Sequence, residues 1–337
     1  MHRIDIGIDL GTSNVCIYMR DKGIVINQPS VLAYEKKTRK IVAVGNKAKR
    51  MLGKTTEQYI VTKPIRKGVI SEYVLAEHMI KAFVKNALKK RKLWGRPNVC
   101  VVVPQNISEV EKRAVESAIM RTGAKEMFLL ESPVAAALGS GVDIMENKGH
   151  LVVDIGGGTT EIAVISSGDI HYGISLKIGG EDYTDALSRY VRRKYNIELG
   201  ELSAEDSKME VGSVYKREED VTYDIKGKNL VNGLPVTMEL SANDSMEAYE
   251  ELNKQIIDGI LKVLDKSDPD LVSDVSEEGI LLTGGGSLIY GMDKLLSEKT
   301  GMDITMSYEP ENVIAVGAGR AGEYIIIQEE DSRKEEE

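Results

Sequence analysis

Cysteine is nearly absent from this chain of 337 residues: only Cys16 and Cys100 occur, each in a strand-like apolar stretch, neither in CxxC or ligand spacing. That tells against a disulfide framework or a cysteine-built metal site and predicts two buried, reduced thiols. Long apolar runs are missing as well; none approaches the ~18 residues that would suggest a membrane span. The opening residues Met1-His2-Arg3-Ile4-Asp5 lead directly into strand-like sequence without the apolar region of a signal peptide, so the expected location is the cytoplasm. Nor is there an excess of positive charge. Against 44 Lys and Arg stand 53 Asp and Glu, a net charge of −9, which argues against nucleic acid as a partner while leaving room for a local basic patch. Neither a Walker A loop nor a GxGxxG fingerprint occurs at the first glycine turn, Gly11-Thr12-Ser13-Asn14, and tryptophan occurs once in the chain, at Trp94.

What is present is the composition of an ordinary globular protein, 42% hydrophobic and 29% charged, in a chain long enough for two domains. The stretch Leu151-Val152-Val153-Asp154-Ile155-Gly156-Gly157-Gly158-Thr159-Thr160-Glu161 reads as a buried strand ending in a carboxylate. A tight turn follows, whose backbone N–H groups can approach an anion. Ile6-Gly7-Ile8-Asp9-Leu10-Gly11-Thr12-Ser13-Asn14 repeats the order about 145 residues earlier, which suggests two related halves facing one another across a cleft. Taken alone, the first turn could be a plain hairpin; its echo favours a phosphate loop. Gly279-Ile280-Leu281-Leu282-Thr283-Gly284-Gly285-Gly286-Ser287 is a third strand-to-glycine turn, expected to open a helix near Leu288.

Between these landmarks the pattern is α/β. Strands are expected over 4–9 and 15–19, then a small α+β insertion over 24–61, and a helix from about Ser71 with Leu75, Met79, Ala82, Phe83 and Ala87 on one face. That helix runs into Lys89-Lys90-Arg91-Lys92-Leu93-Trp94 before a Gly/Pro turn. The cationic collar with an aromatic tip reads either as a membrane-surface anchor or as a solvated helix end favoured by the helix dipole. Ser108-Glu109-Val110-Glu111 is a capping box, Ser132 stands as an N-cap ahead of Pro133 at the first position of an alanine-rich helix, and Ser203-Ala204-Glu205-Asp206 caps a helix that sets Glu205 and Lys208 one turn apart. A hairpin over 221–240, an amphipathic helix over 244–265, a closely packed Ala/Gly helix over 313–322 and an acidic tail complete the chain.

Asp9-Leu10-Gly11-Thr12, Asp154 to Glu161 and Thr283-Gly284-Gly285-Gly286 resemble the two phosphate motifs and the adenosine motif of the actin, sugar-kinase and DnaK-type chaperone superfamily. Within it the chain is similar, over nearly its whole length, to the MreB family of bacterial actins: Asn27-Gln28-Pro29-Ser30-Val31, Glu109 to Val115 and Asn232-Gly233-Leu234-Pro235 match that family's landmarks. The resemblance implies an actin-like, RNase-H-like α/β ATPase fold with two large subdomains, each carrying a small insertion, around a nucleotide cleft. The implied divisions are 1–32 with 75–144 and 313–330, an insertion at 33–74, then 145–181 with 244–312, an insertion at 182–243, and a disordered tail at 331–337.

The resemblance further implies ATP and Mg²⁺ as ligands. Thr12, Ser13 and Asn14 with Gly156, Gly157 and Gly158 would hold the phosphates, Glu205 and Lys208 would lie near the nucleoside, and Gly284, Gly285, Gly286 and Ser287 would flank the adenine. Asp9 and Asp154 would act on the Mg²⁺ ion through its waters, as a hard, strongly hydrated cation requires; their alternative role is to close strand-end turns. In the family a Glu and a Thr hold the attacking water. Thr159 matches the Thr, but where the family reads Glu-Glu-Pro this chain has Glu131-Ser132-Pro133. Ser132, shorter and uncharged, occupies the position of the water-orienting glutamate, and Glu131 points to the other face of an extended strand, so slow hydrolysis is expected.

Leu93-Trp94 falls where family members carry a membrane-insertion loop, with Lys89, Lys90, Arg91 and Lys92 beside it. The implied protein is an ATP-dependent filament, of paired protofilaments, on the inner face of the cytoplasmic membrane, where it works with membrane proteins of the cell-wall elongation machinery to set rod shape. Three alternatives share the fold: a sugar kinase, which would need an acceptor-side Asp not evident here, a chaperone ATPase, which would need a further peptide-binding domain, and a hydrolysis-attenuated paralogue that co-assembles with another bacterial actin.

Overall fold

The computed structural model describes residues 4–89, 95–105, 107–219, 221–326 and 328. Lys90, Arg91, Lys92, Leu93, Trp94 and the 331–337 tail lie outside the described residues, while Lys89 is the exposed residue that closes the helix before them.

The first half opens with β1 (Ile6–Leu10), β2 (Asn14–Met19) and β3 (Gly23–Pro29), then a small layer of β4 (Leu32–Glu35), β5 (Ile41–Val44), α1 (Asn46–Lys49) and β6 (Tyr59–Thr62), and the short pair β7 (Ile65–Arg66) and β8 (Val69–Ile70). α2 (Tyr73–Leu88), β9 (Asn98–Val103), α3 (Glu109–Met120), β10 (Glu126–Glu131) and α4 (Ser132–Ser140) follow. The second half begins β11 (His150–Ile155), β12 (Thr160–Ser166), β13 (Asp169–Leu176) and α5 (Gly180–Tyr195), then β14 (Ile197–Leu199), α6 (Glu201–Val211), β15 (Thr222–Asn229) and β16 (Pro235–Ser241). It ends with α7 (Ala242–Lys266), α8 (Pro269–Glu278), β17 (Ile280–Thr283), a 3₁₀ turn at Gly285–Leu288, α9 (Met292–Thr300), β18 (Ile304–Met306) and α10 (Val313–Arg320).

The halves are built alike. One sheet runs β3-β2-β1-β9-β10 and the other β13-β12-β11-β17-β18, with the hairpins antiparallel and the last three strands of each parallel. The register matches too: Asp9 sits between Cys16 and Val102, and Asp154 between Glu161 and Thr283. The run Val99-Cys100-Val101-Val102-Val103 in β9 is apolar and buried throughout because helices cover both faces of the parallel strands. One buried cluster fills the outer side of each sheet, and a third lies between the halves, joining Cys100, Val102, Val152 and Ala163 to α4 and α10. Those two helices touch backbone to backbone; a Cβ at Gly317 would stand 1.8 Å from the Ala135 carbonyl, so the small residues read from the sequence are a steric requirement.

Local starts differ from the sequence expectation at three places. α2 begins at Tyr73, α4 has Glu131 rather than Ser132 as its N-cap, and α6 starts after Gly200, which puts Ser203 inside its first turn. In each case the strand or turn upstream fixes where the chain can first bend, overriding side-chain capping preference. The Ser108 capping box forms as expected, and Cys16 and Cys100 are both free and buried.

α5 is held over the second sheet by α7. Tyr183 donates to Asn253 at 2.8 Å, and Asp244 accepts from Tyr195 at 2.7 Å and Lys194 at 2.9 Å. Burial alone would raise the Asp244 carboxyl, but the bonds from Tyr195, Lys194 and Ser241 outweigh it and hold the group at about 2. A folded value below the unfolded one of 3.8 adds stability above pH 4 that is lost as pH falls through about 2. Asp244→Asn is therefore expected to lower stability at pH 7, the deficit shrinking below pH 4, as read by urea unfolding across pH.

Candidate functional site

Each strand-ending aspartate leads into a turn that neighbouring segments hold open. In the first turn Ser30 Oγ donates to the Gly11 carbonyl at 2.6 Å and Ser30 N to the Ser13 carbonyl at 2.8 Å, while Asn14 bonds Asn27 at 2.8 Å. In the second, Gly156 N bonds the Thr159 carbonyl at 2.8 Å, and Gly180 N and Glu181 N, from the start of α5, bond the carbonyls of Gly156 at 2.9 Å and Gly157 at 2.8 Å. The turns' carbonyls are thus engaged from behind.

The two turns meet face to face. A Cβ on Gly157 would lie 2.2 Å from Ser13 Oγ, and one on Gly158 would lie 2.5 Å from Thr12 Oγ1. Glycine is needed here because the Ser13 and Thr12 side chains press on the backbone of the second turn.

Around this contact is a cavity of about 690 Å³ between the halves. Asp9, Thr12, Ser13, Asn14, Ser132, Asp154, Gly156, Gly157, Gly158, Thr159, Glu205, Lys208, Gly284, Gly285 and Gly286 all line it, so the structure brings together nearly all the cleft residues singled out in the sequence. Ser287 is buried behind the wall, its hydroxyl on the Gly284 carbonyl at 2.6 Å, and Glu131 lies outside the lining, on the exposed side of its strand end. Glu161, Arg217 and Tyr290 line the cavity without having been anticipated. Glu161 could have been found from strand parity, being the cross-strand partner of Asp154. Arg217, 4.1 Å above the Tyr290 ring, is joined to it only by the fold, and no local pattern announces it.

The electrostatics divide the cavity. At one end, Lys208 lies 3.0 Å from Glu205, and although burial pushes the Glu205 carboxyl up, the Lys208 charge and the Thr184 hydroxyl bring it below the usual range. At the other, burial drives both Asp9 and Asp154 up to about 7. For Asp154 the Ser132 hydroxyl, donating to Oδ2 at 2.9 Å, lowers it in part, and the charges of Glu161 and Asp9 raise it. Asp154 Oδ1 is buried without a hydrogen-bond partner. Two raised carboxyls and one orphaned oxygen suit a cation in the cavity. Among the described residues no group of three or more His, Cys, Asp or Glu is placed to hold a metal ion.

Two duplicated α/β halves closing glycine turns on a shared cavity define the actin-like class of fold. The MreB/Mbl protein family matches residues 3–330, and the chain belongs to that family. It is 40% identical over 336 residues to the cell shape-determining protein MreB of Escherichia coli K12, covering 98% of this chain and 97% of that one. It is 39% identical over 315 residues to the cell shape-determining protein Mbl of Bacillus subtilis 168, covering 94% of each. The structure superposes on MreB5 of Spiroplasma citri bound to ADP with a TM-score of 0.90 at 32% identity, covering 96% of this chain and 98% of that one. A MamK double helical filament shares the fold, at a TM-score of 0.78 and 23% identity over 94% of this chain and 98% of that one.

Because the folded Asp154 value of about 7 lies above the ordinary 3.8, its contribution to stability is greatest in acid and is lost as pH rises through 7. Asp154→Asn is expected to raise the thermal midpoint of the nucleotide-free protein most at pH 8, and less at pH 5, where only part of the loss that begins near 3.8 has accumulated, by scanning calorimetry.

Proposed function

We propose that this chain is an ATP-binding, filament-forming bacterial actin that contributes to cell shape. The observation that carries the reading is the direct meeting of the two glycine turns, each behind a buried aspartate, at one end of a cavity that could take a nucleotide. In this reading Thr12, Ser13 and Asn14 with Gly156, Gly157 and Gly158 bind the phosphates through backbone N–H groups and hydroxyls. The nucleoside then extends along the cavity toward Glu205, Lys208, Gly284, Gly285 and Gly286, with Ser287 fixing that last turn from behind. The relatives' names and the ADP-bound state of MreB5 support it.

Mg²⁺, held by Asp9 and Asp154 through its waters, would neutralise phosphate charge. Binding it lowers both carboxyls, so Mg-ATP affinity is stronger at pH 8 than at pH 6. Thr159, which lines the cavity with its side chain bonded to Glu161, is assigned to the attacking water in this proposal, but the Ser132 hydroxyl is already engaged by Asp154 and Glu131 lies outside the cavity. This favours an assembling protein that hydrolyses slowly. Ser132→Glu should raise single-turnover phosphate release by about 10²-fold; equal rates in the two chains would contradict it.

Assembly is tested by high-speed pelleting with Mg-ATP, with a non-hydrolysable analogue and without nucleotide. Pelleting is expected in the first two above a threshold concentration; a chain soluble in all three would overturn the filament reading. The filament is proposed to consist of paired protofilaments on the inner face of the cytoplasmic membrane, serving the cell-wall elongation machinery. Lys89 to Trp94 supply the contact with anionic lipid, weak per subunit and strong per filament. Among the described residues no helix is long and apolar enough to cross a membrane. Trp94→Ala should abolish flotation with anionic vesicles, and unchanged flotation would remove the membrane contact.

A further inference from the structure

Beside the phosphate turns the halves are joined by a group of ion pairs that the nucleotide reading does not use. The segment after β6 carries Lys63 and Lys67, and both reach the second half. Lys63 Nζ lies 2.8 Å from Glu181 and 2.7 Å from Glu201. Lys67 Nζ binds both carboxylate oxygens of Asp182 and, at 3.2 Å, the Lys177 carbonyl; Lys177 Nζ returns to the Lys67 carbonyl at 3.1 Å. Side-chain exposures of 28% for Lys63, 24% for Glu181 and 23% for Asp182 leave these three half-buried, hence less screened than groups on an open surface, while Lys67 at 38% and Glu201 at 53% are more open to solvent and salt.

Both sides of this strap connect to the turns that would hold phosphate. Immediately after Lys67, Gly68 N donates to Thr12 Oγ1 at 2.8 Å, and a Cβ on Gly68 would stand 3.1 Å from Thr159 Cγ2. On the facing side Asp182 accepts from Gly179 N at 2.8 Å, and Glu181 N bonds the Gly157 carbonyl at 2.8 Å. The acidic partners Glu181 and Asp182 occupy the first turn of α5, whose start is packed against the second glycine turn. A shift of either turn therefore pulls on the lysines that tie the halves.

We propose that Lys63 and Lys67, with Glu181, Asp182 and Glu201, form an ionic strap that sets how long a nucleotide is retained, acting through the two turns. These are positioning residues: the strap holds the turns together around the phosphates and must part before the cleft can open. The proposal rests on the nucleotide reading above.

The test is release of a fluorescent ATP analogue, in Mg²⁺, chased with excess ATP, from the full-length chain and its Lys67→Arg, Lys67→Gln and Lys67→Glu variants. Release is expected to accelerate about tenfold in Lys67→Gln and further in Lys67→Glu, with Lys67→Arg close to the unaltered chain. Added salt should speed release from the unaltered chain and have less effect on Lys67→Gln. Circular dichroism and the thermal midpoint identify any variant that has failed to fold; Lys63→Gln, read in the same way, then replaces it. Equal release rates across the charge series, or an acceleration in Lys67→Arg as large as in Lys67→Gln, would overturn the strap while leaving nucleotide binding intact. An unaltered chain that never binds the analogue would defeat the nucleotide reading and the strap with it.

Discussion

The cleft depends on the contact between two glycine turns. Thr12 and Ser13 press so closely on Gly158 and Gly157 that a single methyl group on either glycine would force the halves apart. Each turn hangs from a strand inside an apolar sheet, and the two sheets are fixed by α4 and α10 packed between them. Close packing there leaves little freedom for the halves to shift without a cost in the core. The site is thus positioned from the interior outward: spine, sheets, strand ends, turns.

Burial explains the site's charges. Asp9 and Asp154 end strands that the fold takes out of water, and the ionised form of each is disfavoured for that reason first. Such a pair gains stability from a cation and resists filling without one. Ser132 changes this balance locally. Its hydroxyl satisfies one oxygen of Asp154, a contact a glutamate carboxylate could not donate, and the other oxygen is buried without a hydrogen-bond partner. One residue therefore links the unusual Glu131-Ser132-Pro133 sequence to both the electrostatics of the site and its expected turnover.

The glycine turns and the duplicated order of their strands were legible because they are local: an apolar run, an aspartate, then glycines read the same in a line of letters as in a sheet. The pairing of Glu205 with Lys208 was legible for the same reason, being one helical turn. Helix starts at Glu131 and Gly200 were not, since the upstream strand sets them rather than the serine that looked like a cap. Arg217 with Tyr290, and Lys67 with Asp182, are partners across 73 and 115 positions of sequence; only the assembled halves bring them together. Glu161 stood inside the motif itself, and its place in the cavity follows from its pairing with Asp154 across the hairpin.

If the two turns grip the phosphates of a single nucleotide, most of the binding free energy resides at that end of the cavity and little in the nucleoside. Calorimetric titration of the intact chain with Mg-ATP and with adenosine separates the two. One equivalent of ATP should bind, with adenosine weaker by about 100-fold or more, a difference of about 3 kcal/mol. Adenosine binding as tightly as ATP, or ATP binding unaffected by a Gly157→Val substitution, would contradict the clamp on which the rest of the account stands.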